Sequence, residues 1–225
     1  MIRLSYVDLI IGDKLTTHDS TRSCIDINDF ITAMEAMLTP DSLAKVKWGL
    51  TNTWTYPEGC TREIRTDEKI GIMERYSLTE EEYEELSDAQ KNEYRDIIRA
   101  DYDNLCKNFS KVAMHIGNKC KYLVNTSSAI NLARSSKLFE DVGYKLIRTS
   151  SDTHLAEGLP KYICAAMLCY ELLGITPADI EGNYLPGLDS SGQGGDSSGS
   201  MSYTLTTSRL EEARKVAWEA YCKSY

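Results

Sequence analysis

The chain has 225 residues, of which 42% are hydrophobic, so it is long enough to bury a core and is not a disordered protein. Its 34 acidic and 25 basic residues give a net charge of −9, which disfavours general binding to nucleic acid or to an anionic membrane. The seven cysteines are scattered and form no CxxC pair. This pattern indicates reduced thiols and argues against a disulfide framework or a structural zinc site.

The N-terminal segment "MIRLSYVDLIIGD" carries Arg3 and Asp8 within a short apolar run, which is typical of a buried strand and not of a signal peptide. The most apolar helix, "PKYICAAMLCYELLG", extends over about 14 residues, whereas a bilayer crossing needs about 20. We therefore expect a soluble protein with no membrane span, made in the cytoplasm.

The first half of the chain predicts helices and one hairpin. The stretch "TTHDSTRSCIDIN" is predicted to be a polar turn, followed by a helix over "NDFITAMEAML" and a short helix capped by Thr39 with Pro40 in its first turn. The stretch "VKWGLTNTWTY" alternates through Trp48, Leu50 and Trp54, turns at "PEG" and returns as "CTREIRT". This pattern predicts a β-hairpin.

Two capping boxes mark the start of two further helices. Thr79 is followed by Glu82, and Ser87 is followed by Gln90. In each pair the hydroxyl accepts from a first-turn amide while the Glu or Gln reaches back. The second helix is predicted to continue towards Phe109. The acidic run "TEEEYEEL" favours the helix macrodipole and is interpreted as structural.

The second half alternates strands and helices. "KYLVNTS" predicts a strand, "SAINLARSSKLFEDVG" a helix ending at Gly143, and "YKLIRTSS" a second strand. The apolar helix from Pro160 to Leu173 follows and is stopped by Gly174. A right-handed crossover would make the two strands parallel. Ser208 and Glu211 form a capping box that is expected to open the last helix.

These elements predict an α+β fold that is mainly helical, with an N-terminal strand and hairpin and a small α/β unit of strand, helix, strand and helix in the C-terminal half. We expect one domain overall. Its predicted segments are an N-terminal mixed region (1–76), a helical segment (77–109), the α/β unit (110–184), a Gly/Ser-rich projecting loop (185–207) and a C-terminal helix (208–225).

The stretch "LPGLDSSGQGGDSSGSMSY" is the densest in Gly, Ser and Asp. Its "GDSSG" matches the nucleophile-elbow pattern at Ser197, but no apolar strand delivers that serine and no helix leaves it, so hydrolase chemistry is disfavoured. Few apolar side chains anchor the stretch, so we expect it to lie against another protein chain. The predicted interaction residues are Tyr184, Leu185, Pro186, Leu188, Met201 and Tyr203.

A catalytic alternative rests on the expected carboxyl ends of the two parallel strands, where ligands collect in open α/β sheets. Asn125 and Ser127 follow the first strand, and Asp152 and His154 follow the second. The last two could orient a water or bind one metal ion, and the serine could meet an anion. Capping of helices and turns is the interpretation we favour, because Ser and Asp are expected at such positions.

We therefore expect a non-enzymatic structural subunit of a large protein assembly, specifically a virion component of the phage head-to-tail connector type. Its partners would be protein subunits of the same assembly, with formation of a homo-oligomer, and no cofactor or metal ion is expected. The alternative is a small α/β enzyme, a phosphoesterase or nuclease, that uses Asp152 and His154. A third possibility is a monomeric regulatory module with a Tyr-rich contact surface, since the chain has 14 Tyr and 3 Phe.

Overall fold

The structure, a computed structural model, describes residues 20–57, 59–61, 63–64, 66–116, 120–180 and 203–223. Within these ranges the chain is mainly helical and has one parallel sheet of two strands, so the fold is broadly α+β. The predicted N-terminal strand lies outside the described residues, as does most of the Gly/Ser-rich stretch.

The elements follow one another along the chain with short connections. The helices are α1 (Ser20–Met37), α2 (Pro40–Leu43), α3 (Thr66–Tyr76), α4 (Glu80–Glu85), α5 (Asp88–Ala100), α6 (Tyr102–Ile116), α7 (Thr126–Ala133), α8 (Leu159–Leu173) and α9 (Thr207–Lys223). The strands are β1 (Trp48–Thr51) and β2 (Cys120–Val124), and single 3-10 turns occupy Lys137–Phe139 and Pro177–Asp179.

The helix starts predicted from capping residues are confirmed at three positions. Thr39 Oγ1 accepts from the Ser42 amide at 3.3 Å and begins α2. The complete capping boxes of Thr79 and Ser87 begin α4 and α5. The predicted cap of the last helix is wrong by two residues, because Thr206 Oγ1 accepts the first-turn amide of α9.

The predicted polar turn before the first helix is also wrong, because α1 already begins at Ser20. Ile27 and Ile31 are buried on this helix and pack in one cluster with Leu105 and Phe109 of α6. This tertiary contact gives the helix a buried face and so favours its extension beyond the segment that the sequence pattern marks.

The hairpin predicted after α2 does not form. β1 pairs instead with β2 in a parallel ladder whose register runs from Trp48 opposite Cys120 to Thr51 opposite Val124. The described residues of "CTREIRT" contain no strand, and the amide of Thr61 donates to the Ser150 carbonyl at 2.7 Å. The backbone groups expected to pair within a hairpin therefore have partners far away in sequence.

The second strand of the predicted α/β unit is also absent. Only isolated antiparallel bridges join Tyr144 to Ile147 and Ile147 to Leu155 in this stretch. Lys145 and Leu146 have φ values of 49° and 74°, which lie outside the extended region and so interrupt a strand. The helix before it is shorter than predicted, since α7 ends at Ala133 and not at Gly143.

The long helix predicted beyond Ser87 is broken once. α5 ends at Ala100, and α6 begins at Tyr102. Between them Asp101 leaves helical geometry, with φ −72° and ψ 81°, and its carboxylate forms an ion pair with Arg75 of α3. The break thus coincides with a tertiary contact of the connecting residue.

The largest apolar cluster lies where α8 packs against α7 and α9. α8 extends from Leu159 to Gly174, whose φ of 63° ends the helix as predicted. Among the described helices, none has both the length and the apolar character needed to cross a bilayer. The six cysteines in the described ranges are free thiols.

Candidate functional site

Two asparagines lie side by side where the two parallel strands end. Asn52 directly follows β1, and Asn125 directly follows β2. Asn52 is only 3% exposed, and its Nδ2 donates to Asn125 Oδ1 at 2.7 Å. Asn52 Oδ1 accepts the amide of Ser127 at 3.2 Å. The parallel pairing therefore creates a buried polar cluster at the start of α7.

The same cluster occupies the free amides at the start of α7. Asn125 Oδ1 accepts the amide of Ser128 at 3.3 Å, and its Nδ2 donates to the Cys106 sulfur at 3.6 Å. Thr126 Oγ1 donates to the Asn52 carbonyl. Because side-chain oxygens accept these amides, the arrangement serves as a helix cap and joins β1, β2 and α6.

Ser127 is placed in this cluster as a buried residue without surface exposure. Its Oγ has no hydrogen-bond partner among the residues that the structure describes. A serine nucleophile needs a base within hydrogen-bond reach. No such base faces Ser127 within the described ranges, so its arrangement is that of a buried first-turn residue.

Asp152 and His154 form a hydrogen-bonded pair in the loop before α8. His154 Nδ1 lies 2.6 Å from Asp152 Oδ1, and the His154 amide donates to the same oxygen at 3.1 Å. Burial opposes ionisation of Asp152, but the hydrogen bonds from His154 and the charge of Arg148 lower its pKa. The imidazole side chain is 76% exposed. The pair therefore lies at the surface.

Charged neighbours of this pair were not predicted from the sequence. Arg148 Nη1 lies 3.5 Å from Asp152, and Arg148 Nη2 donates to Glu157 at 2.8 Å. Hydrogen bonds from Lys161 and then from Arg148 lower the pKa of Glu157, against the effect of burial. The Glu157 to Lys161 spacing of four residues was the available signal, but it marks an ordinary ion pair equally well.

The four predicted residues thus form two separate pairs. Asn125 and Ser127 belong to the cluster at the start of α7, and Asp152 and His154 belong to the loop. Within the described ranges, no hydrogen bond or ion pair joins one pair to the other. The nearest link is indirect, because Trp54 Nε1 donates to the Thr153 carbonyl at 2.9 Å.

Metal-binding side chains were also searched as groups. Across the part of the chain that the structure describes, no three His, Cys, Asp or Glu side chains converge in a way that could hold a metal ion. Asp152 and His154 are therefore a pair without a third such ligand in these ranges.

Of the predicted interaction residues, only Tyr203 lies within the described chain; Tyr184, Leu185, Pro186, Leu188 and Met201 lie outside it. Tyr203 is 7% exposed, and its hydroxyl accepts from the Leu159 amide at 2.7 Å and donates to the Glu157 carbonyl at 2.6 Å. Burial raises the pKa of Tyr203 to about 12. This side chain therefore fixes the backbone after the Gly/Ser-rich stretch to the start of α8.

The backbone before the stretch is fixed to the same region. Ile175 and Ile180 pack against the apolar cluster of α7, α8 and α9. Between them the turn Pro177–Asp179 has a capping box, in which the Thr176 amide donates to Asp179 at 2.8 Å, and the turn contacts α9. Both ends of residues 181–202 therefore start from one packed body.

Comparison of the chain with protein-family models, curated proteins and solved structures found no match.

Proposed function

We propose that this chain is a non-enzymatic structural subunit of a larger protein assembly, in which the Gly/Ser-rich stretch contacts a neighbouring subunit. The observation that carries the proposal is the double hydrogen bond of Tyr203 to Leu159 and Glu157. It supplies a firm attachment for a stretch whose own composition offers few apolar anchors.

The packing around the attachment points supports the same role. Ile180 on one side and Tyr203 on the other are joined to the α7, α8 and α9 cluster, which forms without apolar side chains from residues 185–202. A segment held at both ends can present polar backbone and small side chains to a partner at limited entropic cost. The combination of a helical body with such a segment leads us to favour a phage head-to-tail connector as the assembly, by analogy of architecture.

The test is removal of Ser190–Gly199 from the full chain. We expect the thermal midpoint of the subunit to stay nearly unchanged, because shortening an exposed loop changes its closure entropy little. Assembly, measured by size-exclusion chromatography with light scattering, should be lost. A matched control keeps the length and composition of the ten residues but permutes their order.

The outcomes separate the possible roles of the stretch. If the deletion unfolds the subunit, the stretch is part of the core, and if assembly persists, the stretch is not the contact. If the full chain itself stays monomeric at every concentration tested, homo-oligomer formation is excluded. Loss of assembly in the permuted control as well would show that the order of the residues, and not only their flexibility, specifies the contact.

The alternative, a small phosphoesterase or nuclease, is favoured only by the Asp152–His154 hydrogen bond. A phosphodiester hydrolysis screen with added divalent metal ions tests it, using His154→Ala as the variant and the exposed His115→Ala as its control. Hydrolysis that disappears in the His154 variant and persists in the control would replace the structural proposal with the enzymatic one.

A further inference from the structure

A polar cleft of about 460 Å³ opens beside α4 and α5. Four of its lining residues are Asp88, Lys91, Asn92 and Arg95, whose spacing of three, four and seven residues from the first places them on one face of α5. The volume lies within the range of roughly 300–1,000 Å³ found for small-ligand pockets. The cleft is separate from the two clusters described above.

The charges of the cleft are ordered by depth. Arg95 and Lys91 are the inner cations, with side chains that are 8% and 17% exposed. The carboxylate-bearing Asp88 and Glu84 are exposed and lie towards the rim. A molecule that binds here would therefore meet positive charge inside the cleft and negative charge outside it.

Lys91 is held weakly for a cation with so little exposure. Its Nζ is 3.3 Å from the Glu84 carbonyl and 3.4 Å from the Glu84 carboxylate, whereas Lys69 lies 2.5 Å from the same carboxylate. The ammonium also lies 5.0 Å from the centre of the Tyr83 ring. Ammonium–carboxylate hydrogen bonds are normally about 2.7–2.9 Å long, so Lys91 keeps capacity for a closer anion.

Asn92 adds a neutral donor beside this cation. Its Oδ1 accepts from Arg95 Nη1 at 2.6 Å, which orients the amide and leaves Nδ2 to donate. Lys91 and Asn92 together can thus bind a carboxylate from two directions. Asp88 lies one helical turn before them and can accept from an ammonium group, since residues three or four apart are neighbours on a helix.

We propose that this cleft binds a small zwitterion of the amino-acid class, with its carboxylate held by Lys91 and Asn92 and its ammonium held by Asp88. A simple anion would meet the rim carboxylates without compensation, and a simple cation would meet the inner cations. A molecule that carries both charges on one short carbon chain matches both.

The probes are L-glutamine, acetate and ethylammonium, each titrated into the full chain and followed by ¹H–¹⁵N NMR at the side-chain amide of Asn92 and the backbone amides of α5. We expect saturable shifts with glutamine at a dissociation constant on the order of 1 mM, as suits a ligand of few atoms. Acetate and ethylammonium should bind at least about tenfold more weakly, because each lacks one of the two charges.

Two variants assign the two ends of the ligand. Lys91→Met should abolish the glutamine shifts, whereas Lys111→Met, which removes an exposed charge from α6, should not. Asp88→Asn should weaken glutamine several-fold and leave acetate unchanged. Its control is Asp103→Asn, because Asp103 is likewise in the first turn of its helix.

Three results would overturn the proposal. The first is the absence of any saturable glutamine shift in the folded wild-type protein. The second is equal affinity for glutamine and acetate, which would indicate a plain anion site. The third is an Asp88→Asn variant that remains folded, as shown by its amide spectrum, and binds glutamine as the wild type does.

Discussion

Two regions of the molecule are stabilised by different physical means. The region of α7, α8 and α9 buries a continuous set of apolar side chains, including Ile163 and Met167, which are at most 1% exposed. The region of α3, α4 and α5 has a smaller apolar cluster of Ile72, Tyr83 and Ile98. It also buries charged groups, because Glu68 is 1% exposed and Arg95 is 7% exposed.

The charges of the second region are organised around one aromatic ring. Lys69 and Lys91 lie 4.9 Å and 5.0 Å from the centre of the Tyr83 ring. Lys69 also forms ion pairs with Glu80 and Glu84. Residues 66–101 contain twelve acidic and five basic residues, so most of the net charge of −9 comes from this segment. Its ion pairs therefore offset repulsion that the α7, α8 and α9 region does not experience.

The comparison shows that the two regions should respond differently to the same disturbance. α3 packs on α5, whereas α8 contacts α7, α9 and β2. Loss of packing in α8 therefore disrupts several elements at once, while loss of packing in α3 is confined to its own region. Proteins open locally in units of this kind, with free energies below that of global unfolding.

The largest expected effect comes from Ile163→Ala in α8. The side chain is fully buried in the main apolar cluster, so its truncation removes transfer free energy and leaves a cavity. We expect a loss of about 2–5 kcal/mol in the free energy of unfolding. Urea denaturation should show one transition at lower urea. A loss confined to residues 66–100 would contradict the assignment of α8 to the shared core.

Ile72→Ala in α3 sharpens the comparison, because Ile72 is equally buried but lies in the smaller cluster. Opening of the α3 to α5 region should become easier by about 2–5 kcal/mol, the usual cost of such a truncation. Hydrogen exchange should accelerate across α3 and α5 and stay unchanged in α8. If α8 exchanges faster by the same factor, the two regions unfold as one.

Tyr203→Phe tests the attachment of the Gly/Ser-rich stretch to α8. The variant keeps the ring but removes the partner of the Leu159 amide and of the Glu157 carbonyl. An unsatisfied buried backbone group costs about 1–3 kcal/mol, so a loss of that size is expected. The exposed Tyr144 is not equivalent, and Tyr162→Phe, which removes a hydroxyl that accepts from Arg214, provides the control on α8. An unchanged thermal midpoint would show that the hydroxyl contributes nothing to the attachment.

Local sequence signals predicted the helix starts well. The capping boxes at Thr79 and Ser87 are confirmed because both partners of each box lie within four residues of one another. The end of α8 at Gly174 was predictable for a similar reason, since glycine adopts positive φ without a steric penalty. Interactions of this range are fully specified by adjacent residues.

Long-range pairing was not predictable in this way. The partner of β1 is β2, about 70 residues later, and nothing within "WGLT" distinguishes that partner from the expected hairpin strand. The positive φ values of Lys145 and Leu146 carry no composition signal either, because neither residue is a glycine. Both errors come from tertiary structure that overrides local preference.

The candidate residues illustrate the same division. Asn125 was predicted at the end of a strand and is found there as the cap of α7. Asn52 was missed, since it reaches Asn125 only through the parallel pairing of β1 with β2. Arg148 and Glu157 were likewise missed, because the loop that brings them together was predicted to be a strand.

The smallest expected effect concerns the acid response of the α3 to α5 region. The hydrogen bond and charge of Lys69 lower the pKa of Glu84 from its ordinary value of 4.5, so the pair stabilises the fold above that pH and the contribution is lost as the pH falls through the lowered pKa. The pKa of Lys69 is raised by Glu80 and Glu84, so its part is complete below 10.5. Hydrogen exchange of residues 66–100, corrected for intrinsic rates, should therefore be insensitive to pH near neutrality and accelerate at acid pH. Glu84→Gln should reduce that acid dependence, while Glu81→Gln, which removes an equally exposed carboxylate, should preserve it. Equal acid dependence in both variants would show that the ion pairs of Lys69 do not stabilise this region.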